Sequence, residues 1–128
     1  MTKIVSRKTL LIFMVTIMLF FVMVTSVYAA SRTVQIYNGD GPVRSAAIAA
    51  TNGAKYNGYN YKSSGHRLYI DLQWSNGSGW VNQATKLMDK GQPANGSSTR
   101  SGTLLWRVQL NPQYAFSDCR GYGTVSNR

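Results

Sequence analysis

Residues 66–74 constrain the fold more than any other stretch. They place Leu68, Ile70, Leu72 and Trp74 on one side and Arg67, Tyr69, Asp71 and Gln73 on the other. Four apolar side chains in strict alternation fit a half-buried strand and not a helix. Ser75-Asn76-Gly77-Ser78-Gly79 follows, and Trp80-Val81 starts a return, the pattern of a hairpin. Residues 103–110 repeat the alternation, with Leu104, Trp106, Val108 and Leu110 inward and Leu105, Arg107 and Gln109 outward.

The rest of the chain after residue 30 supports the same period. Residues 31–37 alternate Val34 and Ile36 against Thr33, Gln35 and Tyr37, and residues 38–42 break the strand with two Gly and a Pro. Residues 43–50 are small and apolar. They favour a buried strand, with a short helix as the rival. Residues 55–62 put Asn57, Tyr59 and Tyr61 on one face and Tyr56 and Asn60 on the other, with Asn57-Gly58 read as a hairpin tip or a bulge. Residues 81–90 read as a strand decaying into a turn. Residues 92–102, with Pro93 and Asn95-Gly96, read as a polar loop. Residues 114–125 read as a strand pair or one irregular strand, and 126–128 as a frayed tail. Five Asn-Gly pairs, at 38, 52, 57, 76 and 95, suit tight turns. The expected fold is all-β, a small antiparallel β-sandwich or meander of about five to seven short strands.

The first thirty residues have another character. Lys3, Arg7 and Lys8 precede an uncharged apolar run from Leu10 to Val27, and Tyr28-Ala29-Ala30 follows. A basic start, an apolar middle and a small-residue exit predict a signal peptide over 1–29, cut after Ala29, and a secreted domain over 30–128. Because the run spans eighteen residues, the alternative is an uncleaved tether in the membrane.

The chain's net charge is +10, with four Asp and no Glu. Without the leader, eleven Lys and Arg remain against the four Asp, about +7. Such a surface favours anionic partners. Outside the cytoplasm these are an envelope polymer or membrane surface. Nucleic acid is a less available target there, and another protein is the alternative. The single Cys119 rules out an internal disulfide framework and leaves a dimer through Cys119 open.

Catalytic motifs are sparse. His66 is the sole histidine, and Ser64, His66 and Asp71 lack a nucleophile-elbow pattern. Asp71 is expected to pair with Arg67 or another neighbouring cation. Asp40 and Asp89 suit turns, where Asp bonds its own backbone. Arg120 beside Cys119 favours a thiolate, and Asp118 opposes it. No Cys or His pair has metal-ligand spacing and no phosphate-cradling glycine loop is present, so no metal or cofactor is expected.

Aromatics interleaved with cations are plentiful, and such sets stack on rings while neutralising acidic groups. Tyr59, Tyr61, Lys62, Arg67, Tyr69 and Trp80 are the expected contact residues. The favoured function is non-covalent action at a cell envelope by a secreted cationic β-sheet protein, an antimicrobial of bacteriocin-like kind. A secreted protein-binding or inhibitor module is the alternative, and a small secreted hydrolase ranks third.

Overall fold

The computed structural model describes residues 6–9, 11, 12, 14 and 30–128. The cleavage point and most of the apolar run 10–27 lie outside the described residues. Among the described residues, no helix is long and apolar enough to cross a membrane.

The alternating stretches become paired strands. β5 (Leu68–Ser75) lies between β6 (Val81–Met88) and β8 (Thr103–Pro112). On the far side of β8, β2 (Val43–Arg44) and β3 (Ile48–Thr51) pair end to end along the same edge. These five strands form sheet B. Sheet A runs in the order β1 (Ser31–Ile36), β9 (Gly121–Asn127), β4 (Ala54–Asn60), β7 (Gln92–Ser98). All pairings are antiparallel.

The two sheets form a β-sandwich, as the alternation requires: each sheet has one apolar face, and packing the two together removes both from water. Ile36, Tyr56, Leu68, Ile70, Leu72, Met88, Trp106, Val108, Leu110 and Val125 form the core between them. Among the described residues, the only consecutive strands paired in one sheet are β5 and β6, through the turn at Asn76-Gly77. The other longer connections cross between the sheets, so the architecture is a sandwich and not a meander.

Nine strands form among the described residues, because several stretches read otherwise from the sequence are paired. Residues 92–98, read as a loop, are edge strand β7. β7 has a single neighbour, β4, and buries little, so it carries no apolar alternation; its Pro93 is tolerated at an edge. Ser126 and Asn127, read as frayed, pair with Lys55 and Ala54, and Asn127 also donates its N–H to Ala30. Residues 43–50 are strand on both sides of a break at 45–47. Residues 114–120 hold the end of a one-turn helix (Gln113–Ala115) and a loop, with one strand following.

Two of the five Asn-Gly pairs lie inside strands, where glycine serves a different purpose. Gly58 in β4 is opposite Gly123 in β9. A β-carbon on Gly58 would lie 2.8 Å from Ile70 Cδ1 and 2.9 Å from the Tyr122 carbonyl oxygen. On Gly96 it would lie 2.7 Å from the Tyr56 hydroxyl oxygen. Bare backbone at Gly58 and Gly123 lets the core side chain of β5 seat against sheet A.

Candidate functional site

The outer face of sheet A is built by β4 and β9. In β4, Ala54, Tyr56 and Gly58 point into the core, so Lys55, Asn57 and Tyr59 point out. In β9, Gly121, Gly123 and Val125 are buried, so Tyr122 and Thr124 point out. Cross-strand pairing puts Tyr59 opposite Tyr122, and Tyr61 continues the row just past β4. The three rings form one cluster, with centroids 5.8 Å apart for Tyr59–Tyr61, 6.5 Å for Tyr59–Tyr122 and 6.2 Å for Tyr61–Tyr122.

Beside the cluster, Tyr37, Asn38, Tyr61, Ser63 and Arg120 line an open depression. Arg120 Nε donates to Asn38 Oδ1 at 3.1 Å, which holds its guanidinium over this end of the sheet. Lys62 lies alongside Gly91, at the same end. Further along, the rows become small and polar. Thr33 and Thr124 share a hydrogen bond at 2.7 Å, and Asn57 pairs across to Asn95. None of the four strands of sheet A contains an Asp or Glu. The face is therefore aromatic and cationic at one end, and at the other it is small and polar with Lys55 as its cation.

Of the six residues expected to make contact, Tyr59 and Tyr61 come together here, and Lys62 lies at the same end of the sheet beside Gly91. The other three do not join them, because the segment between β4 and β5 crosses from sheet A to sheet B. Outward side chains of β5 therefore face the opposite direction. Arg67 is held by Asp89 at 2.6 Å. Tyr69 lies on the outer face of sheet B between Leu87 and Asn111. Trp80 lies under Arg107, whose Cζ is 4.0 Å from the ring centroid. The single contact face expected from the sequence is thus two faces. Tyr122, Tyr37 and Arg120 complete the first and were missed. Gly121-Tyr122-Gly123 carried the signal, since two inward glycines aim the tyrosine between them outward.

The residues weighed for catalysis are placed differently from their sequence proximity. His66 Nδ1 donates to the Asp118 carboxylate, 2.7 Å away, and the imidazole stacks on Phe116 with centroids 3.5 Å apart. The Ser64 hydroxyl donates to the His66 carbonyl and accepts from the Arg120 N–H. Ser64, His66 and Asp71 do not assemble as a triad. Cys119 is fully buried, its thiol directed at the His66 and Arg67 carbonyls. Burial first, and then the Asp118 charge, push the thiol's pKa up, outweighing its hydrogen bonds. With the sulfur sealed, a dimer through Cys119 requires this segment to open.

Among the described residues, Asp71 pairs with neither Arg67 nor another cation; it accepts the Thr85 hydroxyl at 2.7 Å. The residue is 4% exposed, and burial raises its pKa above 3.8, with the Thr85 bond opposing more weakly. A raised folded-state pKa means the native state binds the proton more tightly than the unfolded chain. The stabilising contribution is full below 3.8 and is lost as pH rises through the folded value. Asp71→Asn is therefore expected to melt above the parent at pH 7, with the gap closing toward pH 3.5. Thermal melts across that range check it, and a constant or inverted gap contradicts it.

No protein-family model matches the chain, and no curated protein matches it. Among solved structures, the fold is similar to the crystal structure of PirA, with a TM-score of 0.51 and 14% identity over 75% of this chain and 91% of that one. The crystal structure of the Yersinia pseudotuberculosis-derived mitogen matches at a TM-score of 0.44 and 19% identity, covering 76% of this chain and 82% of that one. The second likeness is too distant to carry an argument. At 14% identity, the first is a likeness of fold alone, over three quarters of this chain.

Proposed function

We propose that this protein is exported and acts non-covalently at a cell envelope, binding an anionic envelope polymer through the outer face of sheet A. The observation that carries this reading is the contact cluster of Tyr59, Tyr61 and Tyr122, bordered by Arg120 and Lys62 on a sheet whose strands contain no acid. Tyrosine rings offer flat apolar area at low entropic cost, and the cations supply attraction for acidic groups. The surplus of cations over the domain steers a polyanion toward the molecule. Antimicrobial action of bacteriocin-like kind follows if envelope binding on a related cell is damaging.

Salt resolves the electrostatic part. The domain beginning at Ala30 is expected to sediment with isolated envelopes at low ionic strength and to release at about 1 M salt, where the Debye length falls to about 3 Å. Retention unchanged at high salt removes the charge argument.

A second reading, a protein-binding module, rests on a different feature. Tyr114 and Ala115 are consecutive non-glycine residues at φ 55° and 57°, and Tyr114 is 82% exposed with its ring edge-on to Phe116. Strained backbone that presents an exposed aromatic suits insertion into a partner. A stoichiometric complex with one protein, lost in Tyr114→Ala and indifferent to the sheet A tyrosines, favours this reading over the first.

A further inference from the structure

The outer face of sheet B carries two arginines in an arrangement that the tyrosine face does not use. Arg44 in β2 is opposite Gln109 in β8, and Arg107 stands two residues earlier on the same face of β8, opposite Gln73 in β5. Arg44 Nε donates to Gln109 Oε1 at 2.8 Å, and Arg107 Nε donates to Gln73 Oε1 at 2.7 Å. The two glutamines are themselves held. Gln73 Nε2 donates to Asn82 Oδ1 at 2.7 Å and lies 3.5 Å from Gln109 Oε1. Gln73 is 7% exposed and Gln109 9%. The Trp80 ring supports the Arg107 guanidinium from one side.

In each arginine the Nε is occupied and the Nη groups are not. Among the described residues, neither side chain makes a further hydrogen bond, and no carboxylate lies within 4.0 Å of either guanidinium. The nearest acid in the strand register, Asp71, is directed to Thr85. Burial and, second, the charge of Arg44 act against the protonated form of Arg107. Two like charges held diagonally on one face repel; among the described residues no carboxylate pairs with either, and the Trp80 ring face offsets part of the charge of Arg107 alone.

We propose that Arg44 and Arg107 together form a binding site for a phosphoryl group. A carboxylate has two oxygens and satisfies one guanidinium fork, whereas a tetrahedral phosphoryl group presents enough oxygens to meet the Nη donors of both. The buried glutamines fix both forks in advance, so little side-chain freedom is lost when the anion arrives. The phosphoryl group has two sources outside a cell, a polyol-phosphate polymer and a phospholipid headgroup. This site lies on the opposite sheet from the tyrosine cluster, and it stands or falls independently of it.

The test titrates the folded domain with inorganic phosphate, and with acetate and chloride at equal ionic strength. The Nε–Hε resonances of Arg44 and Arg107 are expected to shift with phosphate while those of Arg32 and Arg128 stay in place. Phosphate at about ten times its dissociation constant is expected to raise Tm by about 7 °C. In Arg44→Gln/Arg107→Gln the rise falls at least fivefold. In Arg107→Lys, which keeps the charge but loses the fork, it also falls. Equal effects from chloride or acetate, uniform shifts over all arginines, or an undiminished rise in the variants overturns the proposal. Parallel arms with a glycerol-phosphate polymer and with phosphatidylglycerol vesicles identify the source, and variant-sensitive binding to either supports the site. Envelope binding that survives in the double variant while its phosphate response is lost separates this site from the tyrosine face.

Discussion

Gly58→Val is expected to destabilise the domain by more than about 3 kcal/mol, although a small side chain in a β-strand is ordinarily favourable. The added β-carbon meets Ile70 Cδ1 at 2.8 Å and the Tyr122 carbonyl oxygen at 2.9 Å, both closer than real contacts allow. Ile70 is fully buried on central strand β5 and Tyr122 is the paired backbone of β9, so the Ile70 methyl must turn within a packed core and the Tyr122 carbonyl moves only with its strand. Overpacking of this kind costs about 1–3 kcal/mol for small additions and more when backbone must shift. Gly58→Ala is expected at about 2 kcal/mol, and valine, with two further methyls, above about 3 kcal/mol. Gly41→Ala is the control: its β-carbon meets nothing within 4 Å and its φ is ordinary. Urea unfolding of the three variants checks the order. Equal midpoints for Gly41→Ala and Gly58→Val contradict the close approach of the sheets.

Tyr59→Ala, Tyr61→Ala and Tyr122→Ala combined are expected to remove most envelope affinity and little stability. The three rings are partly exposed on the outer face, so their loss opens no core cavity. The cross-strand pair Tyr59–Tyr122 contributes about 0.2–1 kcal/mol to the sheet. If each ring contributes about 1 kcal/mol to stacking on a polymer, affinity falls about a hundredfold for the three. The charge of the domain is unchanged by the three substitutions. A weakened complex therefore isolates the aromatic contribution from the electrostatic one.

The sequence displayed the core strands openly. In β5 and β8 the inward residues Leu68, Ile70, Leu72, Trp106, Val108 and Leu110 are large and apolar, and alternation marked them. Edge strand β7 was invisible because its residues, Gln92–Ser98, face solvent or a single neighbour and need no apolar period. Asn57-Gly58 and Asn95-Gly96 misled for a related reason. Glycine is the residue of a tight turn and also of a strand that admits another side chain against its backbone, and only the packing partner distinguishes the two. The candidate face was half legible. Tyr59 and Tyr61 are two residues apart at the end of β4, so their shared face followed from period two. Tyr122 joins them across sixty residues of chain, and Tyr69 and Trp80 leave them, through sheet pairing that no local pattern encodes. The Arg44–Gln109 and Arg107–Gln73 bonds were hidden likewise, because buried glutamines on an outward face look like ordinary surface residues until the register is known.

The most direct test of the envelope role is a pair of binding isotherms on isolated cell envelopes at low ionic strength. One uses the domain beginning at Ala30 and the other its Tyr59→Ala/Tyr61→Ala/Tyr122→Ala variant, both first shown by thermal melts to be folded. The outer face of sheet A predicts a dissociation constant about a hundredfold weaker for the variant. Identical isotherms for the two folded proteins contradict it.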